Sequence, residues 1–176
     1  MSPSTGLLWP CGEPERERHG PDLPAGWTVA VGFDQDYWLG VHTGADINLP
    51  GEADYGQPCY AVAAGTVTSA GPLPGTWGNV ILVRHATLGL WSQYAHLSAV
   101  DVAVGQVVQQ GQRIGALGNG ATTGHGPTVS SHLHLELRRT DIPAGRWPSG
   151  PGKLQTPAVH AYIRMNYVDP LTVLGR

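Results

Sequence analysis

The sequence predicts an all-β fold: a compact, mostly antiparallel β-sheet or sandwich with little helix. Three observations carry that expectation. Glycine and proline are abundant, at 25 and 15 of 176 residues, and the apolar residues fall into many short runs. Helical periodicity is almost absent, whereas strand-length segments recur at short spacing between turn residues. Residues Ser131-His132-Leu133-His134-Leu135-Glu136-Leu137 alternate strictly between polar residues and leucine, the period-2 pattern of a half-buried strand.

Composition sets further bounds. A chain of this length holds one domain with a sizeable core and has too little for two. Hydrophobic residues make up 41% and charged residues 13%, which argues against disorder. The net charge is −3 and no Lys/Arg cluster stands out, so no nucleic-acid partner is expected. No apolar run reaches the length of a membrane span. Met1–Pro10 lacks the basic start and apolar centre of a secretory signal. Cys11 and Cys59 form no C-x-x-C pair, which excludes a cysteine zinc site and leaves open one disulfide or two free thiols. We expect a monomer.

Residues 1–27 read as an extended lead-in that packs on the domain proper, residues 28–176. The lead-in carries Pro3, Pro10, Pro14, Pro21 and Pro24, a charged patch Glu13–Arg18, and His19 as a solvated loop residue. Thr28–Val31 reads as a short strand ended by Gly32, and the polar-aromatic run Phe33–Trp38 as a groove border. In Val41–Leu49, Gly44 argues against helix. Residues four apart in an extended segment face the same way, which brings His42 and Asp46 towards one point. Tyr60–Thr68 reads as a strand pair interrupted at Gly65, and Gly71–Gly75 as a loop. Asn79–His85 is a buried strand and Leu90–Leu97 the next. Val100–Val108 turns at Gly105, and Gly111–Gly118 is short and apolar. Gly120–Ser131 is a long Gly/Thr/Ser loop leading into the histidine strand, the kind of loop that carries function on a rigid sheet. Asp141–Pro157 is another loop. Val159–Met165 fits a short helix or a last strand, and Val168–Leu171 closes the chain.

On the alternating strand, Leu133, Leu135 and Leu137 face a core, and His132, His134 and Glu136 share the other face. Two imidazoles and a carboxylate are costly there as mere filling, and a bound cation stabilises all of them. That face is expected to form one wall of a zinc site. His42 with Asp46 is acceptable zinc chemistry, although H-x-x-x-D alone is a weak and commonly structural pattern. By spacing, the candidates are His42, Asp46, His96, His132 and His134. There is no H-E-x-x-H, so no glutamate base is supplied that way.

A series of short motifs runs in one order: His42-Thr43-Gly44-Ala45-Asp46, Pro58–Val67, Trp77–His85, Tyr94-Ala95-His96-Leu97, Val104–Gly115, His132-Leu133-His134-Leu135-Glu136 and Val168-Asp169-Pro170-Leu171. Over about Val41 to Arg138 the chain thereby resembles the lysostaphin/LytM-type zinc metallopeptidases, which cut peptide bonds in bacterial peptidoglycan. The resemblance implies a compact antiparallel β fold with a groove lined by loops. It implies a single Zn2+ held by His42, Asp46 and His134, with His96 and His132 acting on the attacking water and the tetrahedral intermediate. It also implies a peptidoglycan peptide as substrate. Three protein ligands leave a position for water, and zinc lowers the pKa of that water to about 7. A histidine must then move the proton, near an ordinary pKa of about 6.5. Which of His96 and His132 has which role is not readable from sequence. Glu136 reads equally as a residue that orients a ligand and as a surface carboxylate. Tyr94, two before His96 and on its face, is read as packing.

Departures from the family pattern accompany the match. Four residues separate Pro127 from His132, where many relatives have Gly-Pro closer, so the groove wall is reshaped. His125 lies in that loop, read as solvent-facing. The loop Gly51–Tyr55 is long and acidic, His85 is read as structural, and His160 has no evident partner. Two other classes stay in view. A non-catalytic relative that binds wall or activates another hydrolase usually lacks metal ligands, whereas all the site residues are present here. The Val104–Gly115 stretch is also similar to hairpins of phosphotransferase and biotinyl-type carriers, which have no use for Asp46. The substrate lies outside the cytoplasm, so the expected setting is the cell wall, reached as a phage lysin, a virion-associated enzyme or a cargo of a secretion system.

Overall fold

The computed structural model describes residues 6–13, 15–37, 40–146 and 155–176. Pro3, Pro14, Trp38 and part of the Asp141–Pro157 loop lie outside the described residues. The chain is built on short antiparallel strands with one α-helix among the described residues, α1 (Pro157–Asn166). In order the strands are β1 (Thr28–Val31), β2 (Asp36–Tyr37), β3 (Gly40–Val41), β4 (Ala45–Asn48), β5 (Pro58–Tyr60), β6 (Gly65–Leu73), β7 (Gly78–His85), β8 (Leu90–Leu97), β9 (Ala99–Val100), β10 (Val107–Val108), β11 (Arg113–Ala116), β12 (Leu133–Arg138) and β13 (Tyr167–Val168).

The largest sheet has the order β1-β4-β12-β8-β7-β6-β10, and β13 adds to β12 beyond the end of β4. A smaller sheet runs β5-β11-β9, and β2 pairs with β3. The alternation of β12 holds on its leucine face, but the strand is buried on both faces rather than half-buried. Leu133, Leu135 and Leu137 are fully buried in the main core with Ile47, Val83 and Tyr94. Each such leucine contributes about 1.5–3 kcal/mol by leaving water, and a one-residue slip would turn all three outward. The pattern therefore fixes the register of β12 and with it the face that carries the histidines.

Glycine sets how closely β4 approaches. A Cβ on Gly44 would lie 2.0 Å from the backbone oxygen of Leu135. Only a residue without a side chain lets the turn between His42 and Asp46 pass this close to β12. The N-terminal segment packs deeply: Leu7, Trp9 and Cys11 belong to the main core, and Leu7 bridges to Leu174 near the other terminus. Its charged patch forms a 3-10 turn over Glu15–His19. Arg18 is buried there, with its guanidinium 3.8 Å from the centre of the Tyr60 ring.

Two local expectations are revised. β6 continues through Gly71, Pro72 and Leu73, where a loop was expected. At Pro72 the strand pairs only with β7, since β10 reaches only Gly65 and Thr66, and a proline fits such an edge position. The break after β5 accordingly falls at 61–64, and Gly65 opens β6. The undecided segment near Val159 is helical: the Thr156 side chain accepts a hydrogen bond from the Val159 N–H (3.3 Å) and Pro157 occupies the first turn.

Candidate metal centre

The strand register brings the candidate ligands together. His134 on β12 lies directly opposite Asp46 on β4. Cross-strand partners share a face of the sheet, so both side chains rise from the side opposite the core. His42, just past β3, comes in from the turn that Gly44 permits. His134 Nδ1 lies 2.8 Å from Asp46 Oδ1, His42 Nε2 lies 3.0 Å from the same oxygen, and the two imidazole nitrogens are 3.0 Å apart. All three residues are buried.

The outer nitrogens of the two rings decide what the inner ones offer. His42 Nδ1 faces the Gly32 carbonyl at 3.0 Å, and His134 Nε2 faces Glu136 Oε1 at 3.1 Å. Carbonyl and carboxylate oxygens only accept, so each outer nitrogen carries a proton, and a ring that holds no second proton turns a lone pair inward. With both rings neutral, two lone pairs and a carboxylate converge on one point. Their spacing is slightly inside the edge of about 3.3 Å expected for a tetrahedron with bonds of about 2.0–2.1 Å. This donor set fits a zinc ion. Among the described residues it is the group of His, Cys, Asp and Glu side chains able to hold a metal.

Without an ion, the cluster is held together by a proton. Burial works against charge on His134, but hydrogen bonds to the Asp46 and Glu136 carboxylates outweigh it and lift its pKa to about 9. Burial likewise pushes Asp46 up, and the bonds from His134 and His42 more than reverse this, holding it well below the usual carboxylate range.

Beneath the cluster lies a buried ion pair. Glu136 and Arg138 are both fully buried. Glu136 Oε2 accepts from Arg138 Nη2 (2.6 Å), Arg138 Nε (2.8 Å) and Gln93 Nε2 (3.2 Å). Its Oε1 accepts from the Thr43 hydroxyl as well as from His134. Arg138 also donates to Gln93 Oε1 (2.7 Å) and to the Ile142 carbonyl (2.6 Å). Burial raises the Glu136 pKa, but the Arg138 charge and the His134 bond bring it down to about 2. Glu136 is therefore an ionised anchor for the His134 ring, and the surface reading of it falls away. Arg138, Gln93 and Thr43 escaped the sequence reading. The available signal was period two: Arg138 continues the face of His134 and Glu136.

His96 and His132 flank the cluster, with ring centres 4.6 Å apart. His132 Nδ1 donates to the Ser130 carbonyl (2.8 Å) and its Nε2 stands 3.6 Å from Asp46 Oδ1. His96 Nδ1 donates to the Thr76 carbonyl (2.9 Å), and its ring stacks near Trp77. Burial, then the neighbouring imidazoles of His132 and His134, push His96 down to about 3, so it is neutral at ordinary pH. His96 reaches the site through a bulge. Its φ is +64°, and the register against β7 slips by one residue between Leu97 and Tyr94. A bulge re-aims a side chain. Tyr94 consequently points the other way, into the core, where its hydroxyl accepts from the Val62 N–H (2.9 Å). The expectation that Tyr94 shares the His96 face is corrected, and its packing role stands.

These side chains floor a cleft of about 350 Å³ whose walls include Tyr37, Trp77, Asn48 and Val129. The reshaped loop and the acidic loop meet beside it: Ser131 N–H donates to Glu52 Oε2 (2.8 Å). The remaining histidines lie elsewhere. His85 is buried between the Ala64 carbonyl (2.9 Å) and the Ser92 hydroxyl (2.7 Å), as its structural reading requires. His125 is exposed. His160 has partners that sequence did not reveal, Asp34 Oδ1 at 2.7 Å and Asp36 Oδ1 at 3.1 Å, and so ties α1 to the segment before β3.

Comparison with known proteins agrees with this geometry. The model of peptidase family M23 matches residues 40–145, from β3 through the metal cluster and beyond. The chain belongs to peptidase family M23. It is 40% identical over 86 residues to the cell division protein DipM of Caulobacter vibrioides, covering 49% of this chain and 13% of DipM. It is 37% identical over 117 residues to the peptidoglycan DD-endopeptidase ShyA of Vibrio cholerae, covering 63% of this chain and 25% of ShyA. With the murein hydrolase activator NlpD of Escherichia coli it shares 34% identity over 100 residues, 57% of this chain and 24% of NlpD. The chain thus spans a quarter or less of the length of these proteins. Among solved structures, a zinc-containing peptidase from Vibrio cholerae superposes with TM-score 0.53 at 26% identity, over 74% of this chain and 37% of that one. The catalytic domain of lysostaphin from Staphylococcus simulans superposes with TM-score 0.60 at 22% identity over 82% and 90%, a likeness of fold. No helix among the described residues is long and apolar enough to cross a membrane.

Proposed function

We propose that this M23 chain is a zinc-dependent endopeptidase that hydrolyses peptide cross-links or stem peptides of bacterial peptidoglycan, acting at the cell wall outside the cytoplasm. The observation that carries the reading is the convergence of His42 Nε2, Asp46 Oδ1 and His134 Nδ1 beneath two further imidazoles in one cleft. His42, Asp46 and His134 would hold the ion, whose chemistry when bound is to lower the pKa of a water to about 7 and to polarise a carbonyl. The other roles belong to the chain itself. His96 is neutral, and the Thr76 carbonyl holds its Nδ1 proton, so Nε2 is the atom with a lone pair to accept a proton, although burial brings its pKa in the metal-free protein to about 3, below the ordinary value of about 6.5. His132 is fixed through Nδ1 by the Ser130 carbonyl, and its Nε2, when protonated, donates to the developing oxyanion. Glu136 fixes the His134 ring from behind. Tyr37 and Trp77 wall the cleft and restrict how a peptide lies in it.

The similarity to the activator NlpD supports a second reading, in which the chain binds wall and stimulates another hydrolase. One experiment separates the two. Purified peptidoglycan is incubated with the protein alone, and newly exposed amino groups are counted. Steady release that disappears in His96→Ala supports the endopeptidase. No release from several wall types, together with stimulation of an added amidase, would replace it with the activator.

A further inference from the structure

Away from the metal cluster, the lead-in runs beside the segment that begins at β5. Leu8 N–H donates to the Val62 carbonyl (2.9 Å), and Tyr60 N–H donates to the Pro10 carbonyl (2.8 Å). Both bonds obey one antiparallel register, in which residue 8 faces 62 and residue 10 faces 60. Carried one residue further, the same register sets Cys11 opposite Cys59, and in the structure both thiols are free. Because positions 8 and 10 are the hydrogen-bonded pairs, 11 and 59 form a non-hydrogen-bonded pair. At such a position Cα atoms lie about 4.5 Å apart and side chains are at their closest. That spacing falls within the window of about 4.4–6.8 Å that a disulfide spans.

Other observations agree. Both cysteines are fully buried in the same core cluster. Burial raises the Cys11 thiol well above its ordinary range, and the Cys59 thiol adds to that. Neither belongs to a cluster of metal donors among the described residues.

We propose that Cys11 and Cys59 are a disulfide site that staples the lead-in to the domain. The two thiols lose their hydrogens and one S–S bond forms. Two electrons and two protons pass to a low-molecular-weight disulfide such as oxidised glutathione, which is reduced to two thiols. Burial keeps both thiols protonated in the folded chain, so the bond forms while the chain folds. The closed loop runs from residue 11 to residue 59 and contains both His42 and Asp46. The staple thereby restrains the two of the three candidate metal ligands that lie outside β12.

The test refolds the denatured, reduced protein in a glutathione redox buffer, followed by alkylation under denaturing conditions and mass measurement. The expected product takes up no alkylating agent until reductant is added and then takes up two equivalents. It melts on the order of 10 °C above the reduced form, the shift that a loop of this size implies. The double variant Cys11→Ser, Cys59→Ser should melt near the reduced form and ignore reductant. Two free thiols, a glutathione adduct, or a disulfide between chains after refolding would each overturn the proposal. An oxidised form no more stable than the reduced one would overturn the stapling role.

Discussion

Arg138→Met removes the cation from a fully buried pair and leaves Glu136 facing the core with Thr43, His134 and Gln93 as its remaining donors. Removing one partner of such a pair costs about 3–5 kcal/mol. The structure suggests how that cost is reached. With Arg138 present, Glu136 sits near pKa 2, below its ordinary 4.5, so its contribution to stability is present above 4.5 and lost as pH falls through 2. Without Arg138, burial, the largest influence, drives the pKa upward against the His134 and Thr43 bonds that remain. The cheapest escape is to fold with Glu136 protonated. At pH 7 that costs about 3.4 kcal/mol, at about 1.36 kcal/mol for each pH unit above the ordinary value. The deficit should therefore be about 3–4 kcal/mol at pH 7 and shrink by about 1.4 kcal/mol per unit towards pH 5. What remains there is the loss of the bonds to Gln93 and Ile142. Urea unfolding of chelator-treated protein at pH 5, 6 and 7 reads both quantities. A deficit below about 1 kcal/mol at pH 7, or one that does not change with pH, would refute the ionised-pair reasoning.

Other outcomes follow from the same geometry. In the metal-free protein the His134 proton persists to about pH 9, so zinc must displace it. Affinity should rise about tenfold per pH unit from pH 6.5 towards 9, with close to one proton released per zinc near pH 7, measurable by calorimetry in buffers of different ionisation enthalpy. Asp46→Ala removes the oxygen both imidazoles address and should leave the purified protein without zinc by elemental analysis. His96→Ala and His132→Ala should each retain zinc and lose about 10²–10⁴-fold in turnover on peptidoglycan; near-normal turnover in either would remove that residue from the proposed chemistry. Gly44→Ala forces a methyl group against the Leu135 carbonyl and should destabilise the fold by about 1–3 kcal/mol in urea titration.

The alternating face of β12 was legible because period two survives wherever a strand is unbroken, and β12 is unbroken from Leu133 to Arg138. His42 and Asp46 were legible as a pair but not as neighbours of His134, since that depends on the β4–β12 register. His96 marks where the pattern fails. A left-handed residue inside β8 shifts the face by one, and nothing in Tyr94-Ala95-His96 announces it. The resemblance named His96 as a site residue, and the bulge is the physical reason it can serve as one. Arg138 was missed because a lone arginine is ordinarily read as solvated. Only the burial of Glu136 and Gln93 around it reveals an anchor. The helix at Pro157 carried its own signal, Thr-Pro at the N-terminus, but is too short for periodicity to outweigh a strand reading.

The measurement that tests the central claim most directly is the zinc content of the purified protein, paired with turbidity loss of a peptidoglycan suspension before chelator, after chelator and after zinc is returned. The account predicts about one zinc per chain, from the three-residue cluster found among the described residues. It also predicts clearing that stops on chelation and resumes with zinc. Protein that holds no zinc at neutral pH, or clearing that proceeds unchanged in chelator, would contradict it.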